Sequence, residues 1–105
     1  MIPQLEQLLG TPRDGALLRY SLGLEYLKIE NLEKAAAFFR DAVTRDPGYS
    51  AAWRALGKAL QSSGDAAAAL DAFRRGIEAA KEKGDKQAEK EMTVFARRLE
   101  RKTAG

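Results

Sequence analysis

The side chains of this sequence that could do acid–base chemistry are carboxylates, because histidine and cysteine are both absent from its 105 residues. Their absence removes the commonest general base, the thiol nucleophile and the usual zinc ligands. A run of carboxylates near the C-terminus alternates with lysine and arginine at helical spacing: Glu78, Glu82, Asp85, Glu89 and Glu91. This alternation is typical of a solvated helix face. We therefore expect no enzyme activity, no bound metal and no cofactor.

A basic cluster just before the C-terminus is the second group with a chemical interpretation. Arg97, Arg98, Arg101 and Lys102 fall on two adjacent rows of an expected helix, with Glu100 as the only nearby acid. Such a strip could contact phosphate groups. Cations are also favourable at the C-terminal end of a helix, where they offset its dipole. No exposed aromatic side chain is clearly interleaved with the cluster, so nucleic acid is a disfavoured alternative as the partner.

The overall composition, 45% hydrophobic and 31% charged, is typical of a soluble globular chain, and the length fits one domain, 1–105. Because no apolar run reaches about 18 residues, we expect no membrane span. The N-terminus lacks the features of a signal peptide, so a cytoplasmic location is the default expectation. The net charge of +3 is unevenly placed: residues 81–105 carry 8 basic and 5 acidic side chains, whereas residues 1–80 carry 10 of each.

Start and stop signals divide the chain into helices, and no segment predicts a strand. A short helix from Pro3 to Leu9 is expected to end at Gly10. The run Thr11-Pro12-Arg13-Asp14 offers a hydroxyl cap, a proline in the first turn and a carboxylate three residues after the cap. It therefore predicts the start of a helix that continues to about Glu30. The caps expected for the next three helices are Asn31, Ser50 and Asp65.

The sequence repeats itself once at a spacing of 34 residues. The first copy contains Leu22-Gly23, Ala35, Phe39 and Arg40, which recur as Leu56-Gly57, Ala69, Phe73 and Arg74. A fixed period of this size indicates stacked helical units, each unable to bury its apolar face alone. Stacks of this kind usually offer a surface to a partner.

The repeated residues also have a packing logic. Two helices pack with their axes about 8–10 Å apart only where small residues let the backbones approach. Because a mid-helix glycine costs up to about 1 kcal/mol relative to alanine, Gly23 and Gly57 indicate close approach. We therefore predict that Gly57→Leu disrupts the stack.

The spacing and the residue types resemble the tetratricopeptide repeat. Repeat one matches its pattern with Leu22, Gly23, Tyr26, Ala35, Phe39, Ala42 and Pro47, and repeat two with Trp53, Leu56, Gly57, Leu60, Ala69, Phe73 and Gly76. Two positions depart from it: Arg19 stands opposite Trp53, and Lys81 replaces the closing proline. The resemblance implies an all-α right-handed solenoid of antiparallel helical hairpins. Its parts would be a short N-terminal helix (1–10), repeat one (14–47), repeat two (48–82) and a capping helix (85–102).

The resemblance further implies a non-catalytic protein–protein interaction module, an adaptor or scaffold, whose first helices line a concave groove. In repeat one the core stripe would hold Leu18, Leu22, Gly23, Tyr26 and Ile29, and the groove stripe Leu17, Tyr20, Leu24 and Leu27. In repeat two the groove residues would be Ala51, Arg54, Lys58 and Gln61. This groove is apolar at one end and basic at the other, which favours an acidic-hydrophobic peptide. The expected partner-binding residues are Tyr20, Leu24, Lys28, Arg54, Lys58 and Gln61.

Other interpretations of the groove remain open. The N-terminal helix could itself cover the Tyr20–Leu24 stripe with Leu5, Leu8 and Leu9. The chain could also associate with itself as a homo-oligomer, although Trp53 is better explained as a core residue. A clamp for the terminal carboxylate of a chaperone tail, which some members of the family have, is disfavoured. Tyr20 and Leu24 stand where such a clamp would supply lysine and asparagine.

Overall fold

The computed structural model describes residues 1–104, which form six α-helices and no strand. The helices are α1 (Ile2–Glu6), α2 (Ala16–Lys28), α3 (Leu32–Arg45), α4 (Ser50–Ser62), α5 (Ala66–Lys83) and α6 (Lys86–Ala104). Helices α2 and α3 form one antiparallel hairpin, and α4 and α5 form the next. Helix α6 packs on α5 and touches α4, while α1 packs on α2. The described helices thus form one stack, with α1 at one end and α6 at the other.

Side chains cap three helix starts through hydrogen bonds, and two of them, Asn31 and Asp65, are expected caps that are thereby confirmed. The side chains of Asn31, Asp65 and Asp85 each accept a hydrogen bond from the backbone N–H three residues on. The expectation for Ser50 is wrong, because Tyr49 is the N-cap and Ser50 is already the first residue of α4. The side chains of Asn31, Asp65 and Asp85 each satisfy one of the backbone donors that a helix start leaves without a partner.

The expected start of the helix after Gly10 is also wrong. Helix α2 begins at Ala16, after an extended Gly15, and the run 11–14 forms a turn before it. Thr11 therefore does not cap α2, whose N-cap is Gly15, and the Asp14 carboxylate accepts a hydrogen bond from the backbone N–H of Gly10 at 2.9 Å. At its other end α2 stops at Lys28, which places Ile29 outside the core with 62% of its surface exposed. The expectation that Ile29 belongs to the core stripe is therefore a misassignment.

The core follows the repeat closely. The other four residues of the expected stripe, Leu18, Leu22, Gly23 and Tyr26, are buried. The side chains that are both large and fully buried come from both copies and from α6: Phe39, Phe73, Leu22, Leu56 and Met92. Burying side chains of this size contributes about 1.5–3 kcal/mol each, so they dominate the stability of the stack.

The repeated glycines are the points of closest approach within the hairpins. A Cβ placed on Gly23 would lie 2.5 Å from Cδ1 of Phe39, and one placed on Gly57 would lie 2.6 Å from Cδ1 of Phe73. Real Cβ atoms do not come this close to a ring, so each phenylalanine occupies the space that only glycine leaves. In each hairpin the phenylalanine ring of the second helix therefore packs directly against the backbone of the first helix.

Candidate partner-binding groove

The apolar end of the expected groove contains a cavity of about 520 Å³ beside α2. It is lined by Met1, Leu5, Ser21, Leu24, Glu25, Leu27 and Lys28. Two of the expected binding residues, Leu24 and Lys28, are therefore brought together here. Nearby on the same helix, Leu17 has 69% of its surface exposed, as a groove residue requires. The volume is within the range of cavities that hold small ligands or side chains of a partner.

Helix α1 reaches this end of the groove but covers only part of it. Leu5 lines the cavity together with Leu24, and Leu8 and Leu9 pack half-buried against the core. The Tyr26 hydroxyl donates a hydrogen bond to Glu6 Oε2 at 3.0 Å, which fixes the end of α1 on α2. This hydrogen bond raises the pKa of Tyr26 above its usual value, with desolvation adding to the effect. Helix α1 therefore lines one side of this cavity and also covers part of the groove.

Tyr20 is placed by packing rather than left open in the groove. Its ring centroid lies 5.0 Å from that of Tyr49 and 5.8 Å from that of Phe39, both in tilted arrangements. Such aromatic pairs add about 0.5–1.5 kcal/mol beyond the area they bury. Burial, with a smaller contribution from Tyr20, raises the pKa of Tyr49. Tyr20 therefore joins α2 to the start of α4, and only its remaining exposed edge could contact a partner.

The basic end of the groove is in contact with α6. Arg54 pairs with the carboxylate of Glu91, and both side chains remain partly exposed, at 42% and 37%. The ammonium group of Lys58 lies 4.0 Å from the ring centroid of Phe95, an attractive cation–π arrangement. Gln61 is exposed. Arg54 and Lys58 thus sit on one side of α4, but neither is free of contacts within the protein.

A charged cluster at the start of α2 was missed by the sequence analysis. Arg19 donates hydrogen bonds from Nε and Nη2 to the two Asp14 oxygens at 3.0 and 2.9 Å, and from Nη1 to Asp41 at 3.0 Å. This arginine holds the repeat-one position where repeat two has Trp53. The hydrogen bond from Arg19, with a second from the Gly10 N–H, holds the pKa of Asp14 well below its usual value. The sequence carried one signal for this cluster, the charged residue at a position where the family pattern has a large apolar one.

Replacing Asp14 with asparagine is expected to lower the stability of the fold at neutral pH and to make that stability depend less on pH in the acidic range. Because the pKa of Asp14 is lower in the folded state, its contribution is complete above the unfolded value of about 3.9. That contribution is lost as the pH falls below about 4 toward the folded pKa. Thermal melts from about pH 7 to about pH 2 should therefore show the wild type and Asp14→Asn converging in acid. The matched control is Asp71→Asn, which breaks an exposed ion pair with Arg75. If the difference in melting temperature between the wild type and Asp14→Asn were the same at every pH, the lowered pKa of Asp14 would be contradicted.

Helix α6 turns two of its acids toward the repeats and its cations outward. Glu91 pairs with Arg54, and Glu100 Oε2 lies 3.3 Å from Nη2 of Arg74. The basic cluster of the sequence analysis is exposed throughout: Arg97, Arg98, Arg101 and Lys102. Among residues 1–104, none of these four takes part in an ion pair. The outer surface of α6 is therefore strongly cationic.

The part of the chain that the structure describes contains neither a cluster of metal-ligating side chains nor a helix suited to cross a membrane. Within residues 1–104, no group of three or more carboxylate side chains is arranged to hold a metal ion. None of the helices in that range is both long and apolar enough to cross a membrane.

A stack of antiparallel helical hairpins with the same glycine–phenylalanine contact in each defines a helical-repeat protein. The sequence matches the model of the tetratricopeptide repeat family twice, over residues 2–50 and 20–84. The chain belongs to the tetratricopeptide repeat family. Members of this family generally mediate protein–protein interactions and are typically non-catalytic. The resemblance expected from the sequence is confirmed, and so is the all-α solenoid fold.

Individual relatives cover nearly the whole chain. The TPR repeat-containing protein PA0015 of Pseudomonas aeruginosa is 50% identical over 101 residues, which span 96% of each protein. The solution structure of protein BPP2914 from Bordetella parapertussis matches with a TM-score of 0.81 at 43% identity, covering 99% of this chain and 90% of that one. The Sgt2 TPR domain from Aspergillus fumigatus matches with a TM-score of 0.76 at 27% identity, covering 99% of this chain and 69% of that one.

Proposed function

We propose that this protein is a non-catalytic adaptor that holds a partner protein or peptide in the groove formed by α2 and α4. The observation that carries the proposal is the cavity of about 520 Å³ beside α2, which is lined by Leu24 and Lys28 and lies on the same helix as the exposed Leu17. Contiguous exposed apolar surface is a common feature of sites that bind partner proteins, and this supports the proposal.

The proposed partner carries apolar side chains followed by acidic ones. Its apolar groups would pack on Leu24 and on the exposed edge of Tyr20, and its carboxylates would pair with Arg54 and Lys58. The existing contacts of these two cations do not prevent this, because a partly exposed ion pair such as Arg54–Glu91 is worth only about 0–1 kcal/mol. A partner carboxylate can therefore replace Glu91 at Arg54, or bind Arg54 together with it, at little cost in free energy. Gln61 lies one turn further along α4 and would hydrogen-bond the same segment.

The test is affinity capture from a lysate of the source organism with the wild type and with Arg54→Glu/Lys58→Glu. We expect the double variant to lose about tenfold or more of the captured partner, because like charges facing each other in an interface cost several kcal/mol. The matched control is Arg97→Glu/Arg98→Glu, which changes the net charge equally on the outer face of α6 and should keep the partner. Thermal melts of all three proteins check that each is folded.

Three other outcomes would contradict the proposal in different ways. Capture that survives in both double variants would place the site outside the basic end of the groove. Capture lost from both would indicate attraction by net charge alone. If the wild type captures nothing, self-association becomes the better interpretation, and light scattering after size-exclusion chromatography would show a homo-oligomer. The cytoplasmic location and the division of the chain into two repeats and a cap remain predictions that accompany this proposal.

A further inference from the structure

A second cleft, of about 460 Å³, opens between α3 and α5 and has the only tryptophan of the chain in its wall. Its floor is apolar and buried, and is formed by Val43, Leu56 and Ala72. Trp53 precedes Arg54 in α4, and successive side chains of a helix point about 100° apart. This site, which we name the Trp53 cleft, therefore lies on a different face of α4 from the partner-binding groove.

Two arginines stand on the rim of the Trp53 cleft, and they differ in their partners. Arg75 is engaged within the protein: its Nε lies 3.1 Å from Asp71 Oδ2, and its guanidinium lies 5.8 Å from the Trp53 ring centroid. Arg40 is exposed and takes part in no ion pair among residues 1–104. The cleft thus combines an apolar floor with one cation that forms no ion pair within the described residues.

The internal repeat shows what this arginine position can hold. Arg40 and Arg74 are equivalent residues of the two copies, 34 positions apart. Arg74 pairs with the carboxylate of Glu100, which α6 supplies in its fourth turn. The first helix that follows Arg40 is α4, which ends at Ser62 and provides no such glutamate. The same arginine therefore holds a side-chain carboxylate in one copy and lacks it in the other.

We propose that the Trp53 cleft is a second binding site, which takes an aspartate or glutamate side chain of a partner protein together with the large apolar residue next to it. The carboxylate pairs with Arg40 as Glu100 pairs with Arg74, and such charge-assisted contacts are stronger than neutral ones. The apolar side chain packs on Leu56 and Ala72, and the cleft is large enough for both groups. This site is separate from the groove, so it can be tested independently of the proposed function.

The test uses the full chain and two capped peptides, acetyl-Gly-Leu-Asp-Gly-amide and its counterpart with asparagine in place of aspartate. Because Trp53 is the only tryptophan, its fluorescence reports binding at this cleft. We expect the aspartate peptide to bind the wild type about tenfold more tightly than the asparagine peptide. In Arg40→Gln the two peptides should bind equally. The matched control is Arg74→Gln, the same substitution at the equivalent position, which should keep the preference.

Each contrary result overturns a stated part of the proposal. No saturable change in Trp53 emission or in the amide resonances of Val43 and Ala72 would mean that the cleft is not a binding site. Equal binding of both peptides to the wild type would remove the role of Arg40. Tighter binding of acetyl-Gly-Asn-Leu, which ends in a free carboxylate, would replace the acidic side chain by a chain terminus. Loss of binding in Arg54→Glu/Lys58→Glu would place the peptide in the groove instead.

Discussion

Replacing Gly57 with leucine is expected to abolish the cooperative thermal transition seen by far-ultraviolet circular dichroism. The first carbon of the new side chain would already lie 2.6 Å from Phe73 Cδ1, and three further carbons would follow it. Phe73 is fully buried and cannot move outward without opening the contact between α4 and α5. Overpacking by single methylene groups costs about 1–3 kcal/mol, and a whole isobutyl group at this contact exceeds that.

The graded variant Gly57→Ala separates crowding from other effects of a new side chain. Alanine gains up to about 1 kcal/mol of helix propensity over glycine, yet we expect a net loss of stability because the clash with the Phe73 ring outweighs this gain. The matched control is Gly48→Ala, where the new Cβ would lie 3.4 Å from the flexible Lys83 side chain. We expect that control to melt within a few degrees of the wild type. A wild-type melt for Gly57→Leu would show that the hairpin does not depend on this contact.

Replacing Met92 with aspartate is expected to detach α6 from the stack and to lower stability by about 4 kcal/mol or more. Met92 is fully buried, and its sulfur occupies the space above Gly76 in α5. The substitution removes that packing and places a carboxylate in an apolar contact without a partner, which is among the costliest single changes. Because domains of this size have only about 5–15 kcal/mol in total, urea unfolding should show a large shift of the midpoint.

The control for this prediction lies two residues further along the same helix. Val94 has 42% of its surface exposed, so Val94→Asp introduces the same charge on the outer face of α6. We expect its free energy of unfolding to stay within about 0.5 kcal/mol of the wild-type value, as for most surface substitutions. Equal effects of the two substitutions would mean that helix propensity, and not docking of α6, controls the stability.

The fold could be predicted from the sequence because the determining contacts recur within it. The pairs Gly23–Phe39 and Gly57–Phe73 have the same spacing, and each requires two helices joined by a short turn. Where helices begin and end was less well predicted. Ile29 continues the apolar stripe, but α2 stops at Lys28 before it, and periodicity contains no information on that last turn.

The candidate site was predicted only as a set of residues on one face. Leu24 and Lys28 do line a common cavity, because residues four apart on a helix are neighbours. The contacts of Arg54 and Lys58 with α6 could not be foreseen, since they depend on how the last helix lies across α4. The Asp14–Arg19–Asp41 cluster joins residues 22 positions apart, from Arg19 to Asp41, and no local pattern reports such a distance. The sequence thus predicts which residues share a helix face, whereas contacts between elements decide which of those side chains remain free.

The outward-facing cations of α6 give the molecule an uneven charge distribution along its length as well as a basic surface. The stack measures 44 Å along its longest axis, and the whole net charge of +3 resides in residues 81–105. Since the Debye length at physiological ionic strength is about 8 Å, the field of this end acts only at close range and weakens further in salt. Within that range an acidic surface exerts a torque on the protein and turns the α6 end toward itself before contact. The uneven charge therefore acts on the orientation and rate of encounter, even where no cation of α6 remains in the final complex.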